Sequence, residues 1–572
     1  MTNVSNPSSE SGVLRTDEEI ARQMSALSTI DYPKDSVSSI LRLPTETLEA
    51  IFIDGARDHF STDNGLPVPT PPTWINISYV CSRWRNVAMA CPTLWSYLFV
   101  VSPRWTKELL YRSKHAPLKI RVTLYHWDRT PRALRFVKQV VNHAERIQLF
   151  SMYIPSLPRD HQVFSQLFLH APLLQNVMLL AGEIPPEEDW ISSIFLDGDT
   201  PALRTMDLSN FPVPWYSLKL NNLTTLSLRR VHARFQQNTE EFLTTLSYMQ
   251  DLRHLDLDDA LASAAGFLSS AAFDAFQKFS LPHLSRLSIF APLPTIIALL
   301  SCVNFPLDTE VRIKCHHEDD SSFNGYVRLS SLLEQIFHMS DELAPSIPTI
   351  RSLIMQLTWE GTTLVFGASE LDIGSFSFIP SARWARGIPL QIIILQNPAQ
   401  RMTMSDRDRI ITEICCSMPL INVQSLLSIA PPMSSAFWRT ILGHLQDLRR
   451  LALRDGRMPD LISVLRPIPP SYTEDQSDYG DGVPARVLAP GLEVLQLSRI
   501  SFLDPLDFKG DLLRFSGVQS LHDALSSRKD SRGQLTMTGC FICTTDRSVG
   551  FGMVGTWEDG HFHVVKPAVL PV

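Results

Sequence analysis

The sequence predicts an α/β chain of 572 residues in which a small helical piece at the N-terminus is followed by an irregular α/β solenoid. Three observations predict it. Two dense apolar stretches with helical spacing fall between residues 40 and 100. From residue 174 onward a six-residue phrase with strand-like alternation recurs. Between the phrases lie segments with helical periodicity, so strands and helices alternate along the chain.

Composition narrows the class of molecule. Hydrophobic residues make up 44% and charged residues 19%, a globular balance in a chain too long for one core. Forty prolines against 24 glycines mean many element ends and few permissive turns. The formal net charge of −8 argues against a large phosphate-binding surface. The longest apolar run, "LPTIIALLSCVNF", is too short to cross a bilayer, so no membrane association is expected. The N-terminal "MTNVSNPSSESG" lacks an apolar signal region, and the eight scattered cysteines read as reduced thiols. The expected location is cytoplasmic, nuclear or both.

Taken in order, residues 1–15 read as a disordered tail and 16–39 as a short helix with a connector. The helix opens on a capping box of Thr16 and Glu19. "LRLPTETLEAIF" (41–52) begins with a Leu-Pro step in which Pro44 suits the first helical position. Leu48, Ile51 and Phe52 then form one apolar stripe. A polar, Pro-rich loop, "RDHFSTDNGLPVPTPPT", separates this from "WINISYVCSRWRNVAMACPTLW" (74–95). There Ile77, Val80, Cys81, Trp84, Val87, Ala88 and Cys91 hold helical spacing, with a break near Ser82 and a stop at Pro92. Three short helices cannot bury all this apolar surface among themselves, which implies a cover from another source.

After about residue 115 the texture changes. The recurring phrase reads "LQNVML" (174), "LRTMDL" (203), "LTTLSL" (223), "LRHLDL" (252), "LSRLSI" (284), "IRSLIM" (350), "LQIIIL" (390), "LRRLAL" (448) and "LEVLQL" (492). Its third and fifth positions are mostly polar, the mark of a strand with one face inward. From 203 to 284 the starts are 20, 29 and 32 residues apart, which suits stacked strand-plus-helix units. "PSYTEDQSDYGDGVPAR" (470–486) interrupts the array as an acidic loop.

The phrase resembles the leucine-rich repeat. That family places Asn or Cys three positions after the last leucine, where this chain has Val231, Ala260, Gly456 and Ile500, so an uneven arc is expected in place of a regular horseshoe. The pattern "LP-x3-L-x2-IF", a gap, then "VC-x2-WR-x-VA-x2-CP-x-LW" resembles the F-box, particularly the variety found in mushroom-forming fungi. Together the resemblances imply a small N-terminal three-helix F-box at 40–100 followed by an irregular leucine-rich-repeat-like α/β solenoid over 115–572. They imply a non-catalytic subunit of a Skp-cullin-F-box (SCF-type) ubiquitin ligase. The box would dock on the Skp adaptor, which is joined to a cullin and a RING subunit, and the repeats would select an unknown protein substrate. By the same resemblance the adaptor-binding positions are Leu43, Pro44, Leu48, Ile51, Val80, Cys81, Trp84, Leu94 and Trp95. A repeat scaffold that holds the adaptor outside any ligase is the alternative.

No GxSxG, HExxH or GxxxxGK[ST] signature is present, so the common hydrolase, zinc-protease and nucleotide-binding motifs give no lead to catalysis or to a cofactor. Cys540 and Cys543 with His561 and His563 contain four zinc-ligand types, but His-x-His lacks the usual spacing, and "GQLTMTGCFIC" reads as a strand; no metal is expected. "CHHEDD" (315–320) reads as a solvated loop, and one of Cys415 and Cys416 as core. Arg129, Arg132, Arg135 and Lys138 share a helical face that reads as solvated, so nucleic-acid binding is not supported. Arg204, Arg253, His254 and Arg449 are candidate positions on the strand face that read as ordinary solvent-facing residues, so no residue is assigned to substrate.

Overall fold

The computed structural model describes residues 42–61, 73–99, 103–123, 139–140, 142–156, 171–183, 200–210, 221–231, 236, 238–262, 278–317, 323–338, 349–357, 361–368, 390–396, 402–429, 434–457, 459–466, 487–503, 516–527, 532–543, 548–558 and 561–569. The expected tail at 1–15, the helix and connector at 16–39, the basic face at 129–138 and the acidic loop at 470–486 lie outside them. The chain is a mixed α/β structure that divides into two compact units, Met1–Ala116 and Pro117–Val572.

The first unit is mainly helical. It holds α1 (Thr45–Ser61), a 3-10 turn (Thr73–Asn76), α2 (Ile77–Val80), α3 (Ser82–Ala90), a second 3-10 turn (Leu94–Ser96), the short strand β1 (Tyr97–Phe99) and α4 (Pro103–Arg112). Helix α1 runs well past Phe52, because Ala56 and Phe60 continue its buried side; the residues from Arg57 to Ser61, expected in the loop, are helical.

The second unit is a large, mostly parallel sheet with helices on one face. Its first strands are β2 (Leu118–Thr123), β3 (Ile147–Ser156), β4 (Asn176–Glu183), β5 (Thr205–Ser209) and β6 (Thr225–Arg229). After helix α5 (Thr239–Ser247) come β7 (His254–Asp258), the two-residue β8 (Phe279–Ser280) and β9 (Arg286–Phe290). Helix α6 (Leu293–Cys302), β10 (Val303–Asn304), β11 (Glu310–His317) and α7 (Phe323–His338) follow. Next are β12 (Ser352–Leu357), β13 (Gly361–Gly367), β14 (Leu390–Gln396), α8 (Met404–Cys416), β15 (Ser425–Ile429) and α9 (Ser435–His444). The chain closes with β16 (Arg450–Arg457), α10 (Pro459–Leu465), β17 (Val494–Leu503), α11 (Ser516–Ser526), β18 (Arg532–Cys543), β19 (Ser548–Glu558) and β20 (His561–Val569).

From β2 to β11 each strand lies parallel to the next in the chain, apart from β8, which pairs with β10 outside this ladder. The order then breaks. Strand β14 lies parallel beside β11, β13 runs antiparallel between β14 and β12, and β12 lies parallel to β15. The parallel ladder resumes through β16, β17 and β18, and β19 and β20 close it as an antiparallel meander. The helices keep chain order throughout: α5 touches α6, and each helix onward to α11 touches its successor. None of the described helices is long and apolar enough to cross a membrane.

The phrases explain the ladder. Their first residues, from Leu174 and Leu203 to Leu448 and Leu492, are all buried, as are the fourth and sixth positions such as Leu226, Leu228, Leu255 and Leu257. The carbonyl of the second residue accepts two N–H bonds from the following unit: Arg204 takes Thr224 and Thr225, and Thr224 takes Arg253 and His254. Two residues beyond the last apolar position, Asn210, Arg230, Asp259, Asp455 and Arg499 adopt positive φ of 50–55°. The amides of Asn210, Arg230 and Asp259 donate to Arg229, Asp258 and Phe290 carbonyls at 2.7, 2.5 and 2.8 Å. These backbone groups close the turn after each strand, and the residues at the leucine-rich repeat's Asn position, Val231, Ala260 and Ile500, are buried as apolar packing.

One phrase is in a different frame. Leu390 stands opposite Val311 of β11, where other phrases have their fourth residue, so the inward positions are Leu390, Ile392 and Ile394. A three-residue offset reverses the face, and the expected inward pair Ile393 and Leu395 points the other way, half-buried.

Candidate functional site

The first unit has a core of its own. In α1, Leu48, Phe52, Ala56 and Phe60 recur every four residues and are buried. Phe52 packs on Trp84 with centroids 5.1 Å apart, and Phe60 meets Tyr97 edge-on at 5.6 Å. Trp95 sits at the centre: its ring meets Trp74 at 5.5 Å, the Arg112 guanidinium lies over it at 4.3 Å, and Nε1 donates to the Ala88 carbonyl at 2.7 Å. The carbonyl of Pro44 accepts the first helical bond, from Leu48 N at 3.1 Å, so Pro44 is the N-cap and not the first helical residue. Arg83 Nη2 donates to the Leu43 carbonyl, tying the Leu-Pro step to α3. The break between α2 and α3 falls at Cys81, whose extended backbone and Sγ cap the new helix by accepting from Trp84 N at 3.4 Å.

The expected docking residues divide by exposure. Leu48, Leu94 and Trp95 are 0–1% exposed, so in this unit they hold the core and present nothing to another chain. The reason is geometric: Leu48 lies on the buried four-residue row of α1, and the short turn after Pro92 folds Leu94 and Trp95 inward. Leu43, Cys81 and Trp84 are half-buried. Pro44 is exposed, as are Ile51 at 45% and Val80 at 60%. The stripe expected from Leu48, Ile51 and Phe52 is therefore split, with Ile51 outside the row. Tyr79, at 66%, and Met89, at 44%, join the exposed apolar set without having been anticipated. Tyr79 is adjacent to Val80, and two large side chains in succession on so short a helix were the signal available in the sequence.

The second unit offers a strand face opposite its helices. Register places Met178, Asp207, Ser227, Asp256, Ser288 and Arg312 in one row across β4 to β11. The row continues through Gln391, Val365, Ile354, Leu427 and Ala452. Its character changes midway. Ile354, Val365, Leu427 and Ala452 form a buried apolar cluster, whereas β5 to β11 carry charge. Arg229 bridges Asp207 at 3.6 Å and Asp256 at 3.1 Å, and Ser227 Oγ donates to Asp256. Arg286 pairs with Glu310 at 3.1 Å, Arg312 Nε donates to Gln391 at 2.5 Å, and Lys314 lies over the Phe290 ring at 4.3 Å.

Burial disturbs the ionisation of this face. It pushes the carboxyl of Asp207 above its ordinary 3.8, opposed by Arg229 and Ser227, and raises Asp258 likewise against Lys314. It pushes His254 below its ordinary 6.5, helped by Arg286 and Arg253. A raised folded-state carboxyl means that the folded chain binds the proton more tightly than the unfolded one. The stability that Asp207 contributes is full below pH 3.8 and is lost as the pH rises through its folded value. Asp207→Asn is expected to flatten that loss, so denaturant midpoints measured from pH 4 to pH 7 should fall less than in the unaltered chain. An unchanged slope would remove Asp207 from this account.

Of the four candidate strand-face positions, Arg204, Arg253 and Arg449 occupy second positions at the entry to their strands and are exposed. Arg204 Nη1 donates to the Pro201, Leu203 and Asn222 carbonyls, and Arg449 lies 3.9 Å from Glu493, so both are engaged locally. His254 alone lies on the strand face. The Cys-His set is divided by register: His561 is level with Arg532, and Cys540 lies eight residues farther along β18, roughly 26 Å at about 3.3 Å per residue. Cys540 is buried and its thiol points to the Leu497 carbonyl at 3.6 Å. Cys315 is buried beside Tyr326 while His316 is exposed on the other face, against Phe290. Cys415 is core and Cys416 is exposed. Among the described residues no group of three or more His, Cys, Asp or Glu is arranged to hold a metal ion. In comparison with known proteins, no family model matches this chain and no curated protein matches it.

Proposed function

We propose that this chain is a substrate-recognition subunit of an SCF-type ubiquitin ligase, with an F-box in its first unit and a leucine-rich-repeat-like solenoid in its second. One observation supports the reading most. The first unit buries its own aromatic core, yet leaves Ile51, Tyr79 and Val80 45–66% exposed on α1 and α2. Covering a Val or Ile side chain is worth about 1.5–3 kcal/mol, and binding energy concentrates in a few such anchors. Pro44 and the half-buried Leu43, Cys81 and Trp84 complete the docking set, and Leu48, Leu94 and Trp95 give it rigidity from beneath.

In this role the chain breaks no bond. It holds a target where a conjugating enzyme can reach it, raising the local concentration of one reactant near the other. Co-purification with a Skp adaptor and a cullin tests the proposal. The unaltered chain should retain both, and Ile51→Asp combined with Val80→Asp should lower adaptor retention at least about tenfold, the effect of losing two anchors. Thermal unfolding should stay unchanged, because both side chains face solvent. Adaptor without cullin would favour the scaffold alternative, and retention of neither would end both readings.

A further inference from the structure

The strand face of the second unit is a sorted surface, and the sorting describes its partner. Asp207 on β5 and Asp256 and Asp258 on β7 flank β6, whose Arg229 lies between them. Arg312 and Lys314 stand on β11, with Phe290 beside them on β9. Beyond β11 the same row becomes apolar and buried, from Val365 to Ala452. Between β5 and β11 this face is acidic toward β5 and β7 and basic toward β11, and further basic residues stand outside that span, Arg121 in the same row on β2 and Arg450 and Arg454 on β16. The facing side chains remain within reach of solvent: Arg229 is 40% exposed, Asp256 36% and Arg286 38%.

The geometry points to an extended peptide segment of the target lying across these strands, with a basic side chain over Asp256 and Asp258 and an acidic one over Arg312 and Lys314. The inference rests on the proposed role of this unit as the target-binding part. Spacing sets the motif. From β7 to β11 there are two strand intervals, or roughly 10 Å at about 4.8 Å each, which an extended chain spans in about three residues. The segment therefore carries a Lys or Arg about three residues from an Asp or Glu. Phe290, between the two banks, offers a ring to an apolar side chain inside that interval. Complementary charge of this kind fixes register and rejects partners of the wrong order more than it adds raw affinity.

Phage-displayed random decapeptides panned on the full-length chain test this. The expected result is enrichment of peptides with opposite charges two to four residues apart. Asp256→Asn and Asp256→Lys should each lower retention of an enriched peptide, the second at least about tenfold. Changing that peptide's basic residue to Glu should restore binding to the Asp256→Lys chain only. Gln496→Ala, in the same row on β17, should change nothing. Selection without spaced charges, or equal retention by Asp256→Lys, would overturn the inference. Adaptor retention on the same preparations separates the two ideas: lost adaptor binding with intact peptide selection removes the ligase reading alone, and the converse removes this one.

Discussion

Trp95→Ala is expected to unfold the first unit. The side chain is fully buried, stacks edge-on with Trp74, lies under Arg112 and donates its indole N–H to the Ala88 carbonyl. Truncating a buried Trp costs about 3–5 kcal/mol, against a total of roughly 5–15 kcal/mol for a whole domain. The space left would touch α3, the 3-10 turn at Thr73–Asn76 and α4 together, so no single element can collapse to fill it. Limited proteolysis should cut the chain between residues 42 and 112, and near-ultraviolet circular dichroism should lose aromatic signal beyond that of one ring. Trp95→Phe keeps an aromatic ring in place and forfeits the indole hydrogen bond; the Ala88 carbonyl still accepts from Cys91 N at 3.3 Å, so about 0.5–1.5 kcal/mol is expected from the lost bond. Protease resistance equal to that of the unaltered chain would show that Trp95 is not the keystone described.

The second large effect is expected at Gly361, the first residue of the reversed strand β13. A Cβ there would lie 2.2 Å from the Ile394 carbonyl oxygen and 3.0 Å from the Leu395 Cα. Both obstacles are backbone in the paired strand β14, so neither can rotate aside. Gly361→Ala should cost about 1–3 kcal/mol as overpacking, and hydrogen exchange should accelerate first along β13 and β14. Gly443 in α9 provides the contrast. Nothing lies within 4 Å of a Cβ built there, so Gly443→Ala should stabilise by about 0.5–1 kcal/mol through helix propensity. Equal effects at the two sites would refute the close backbone approach.

The phrase found strands wherever its first leucine was present, because that residue must be buried to close each turn. It passed over β11, where Asp308 takes the first position, although Val311, Ile313 and Cys315 still alternate inward. It passed over β15 because Ser428 replaces the last apolar residue. Strand β13 follows no phrase since its place is decided by β12 and β14, far apart in sequence from their outer neighbours. In the first unit, apolar content alone could not separate Phe52, which faces the core, from Ile51, which does not. One residue of rotation on α1 decides between packing and exposure, and only the three-dimensional arrangement of α3 fixes it.

The reversal of order around β13 has a consequence for how the second unit is assembled. Up to β11 the sheet can be laid down one strand at a time as the chain emerges, each arrival finding its mate already waiting. Strand β12 breaks that routine, for its outer mate, β15, has not yet been made and the place beside β11 is kept for β14. The stretch from residue 350 to 396 must therefore fold as a three-stranded insert, clasping first on itself and then on the finished half. Non-local closures of this sort slow folding, and the seam between β11 and β14 is where a stalled or half-built molecule would come apart.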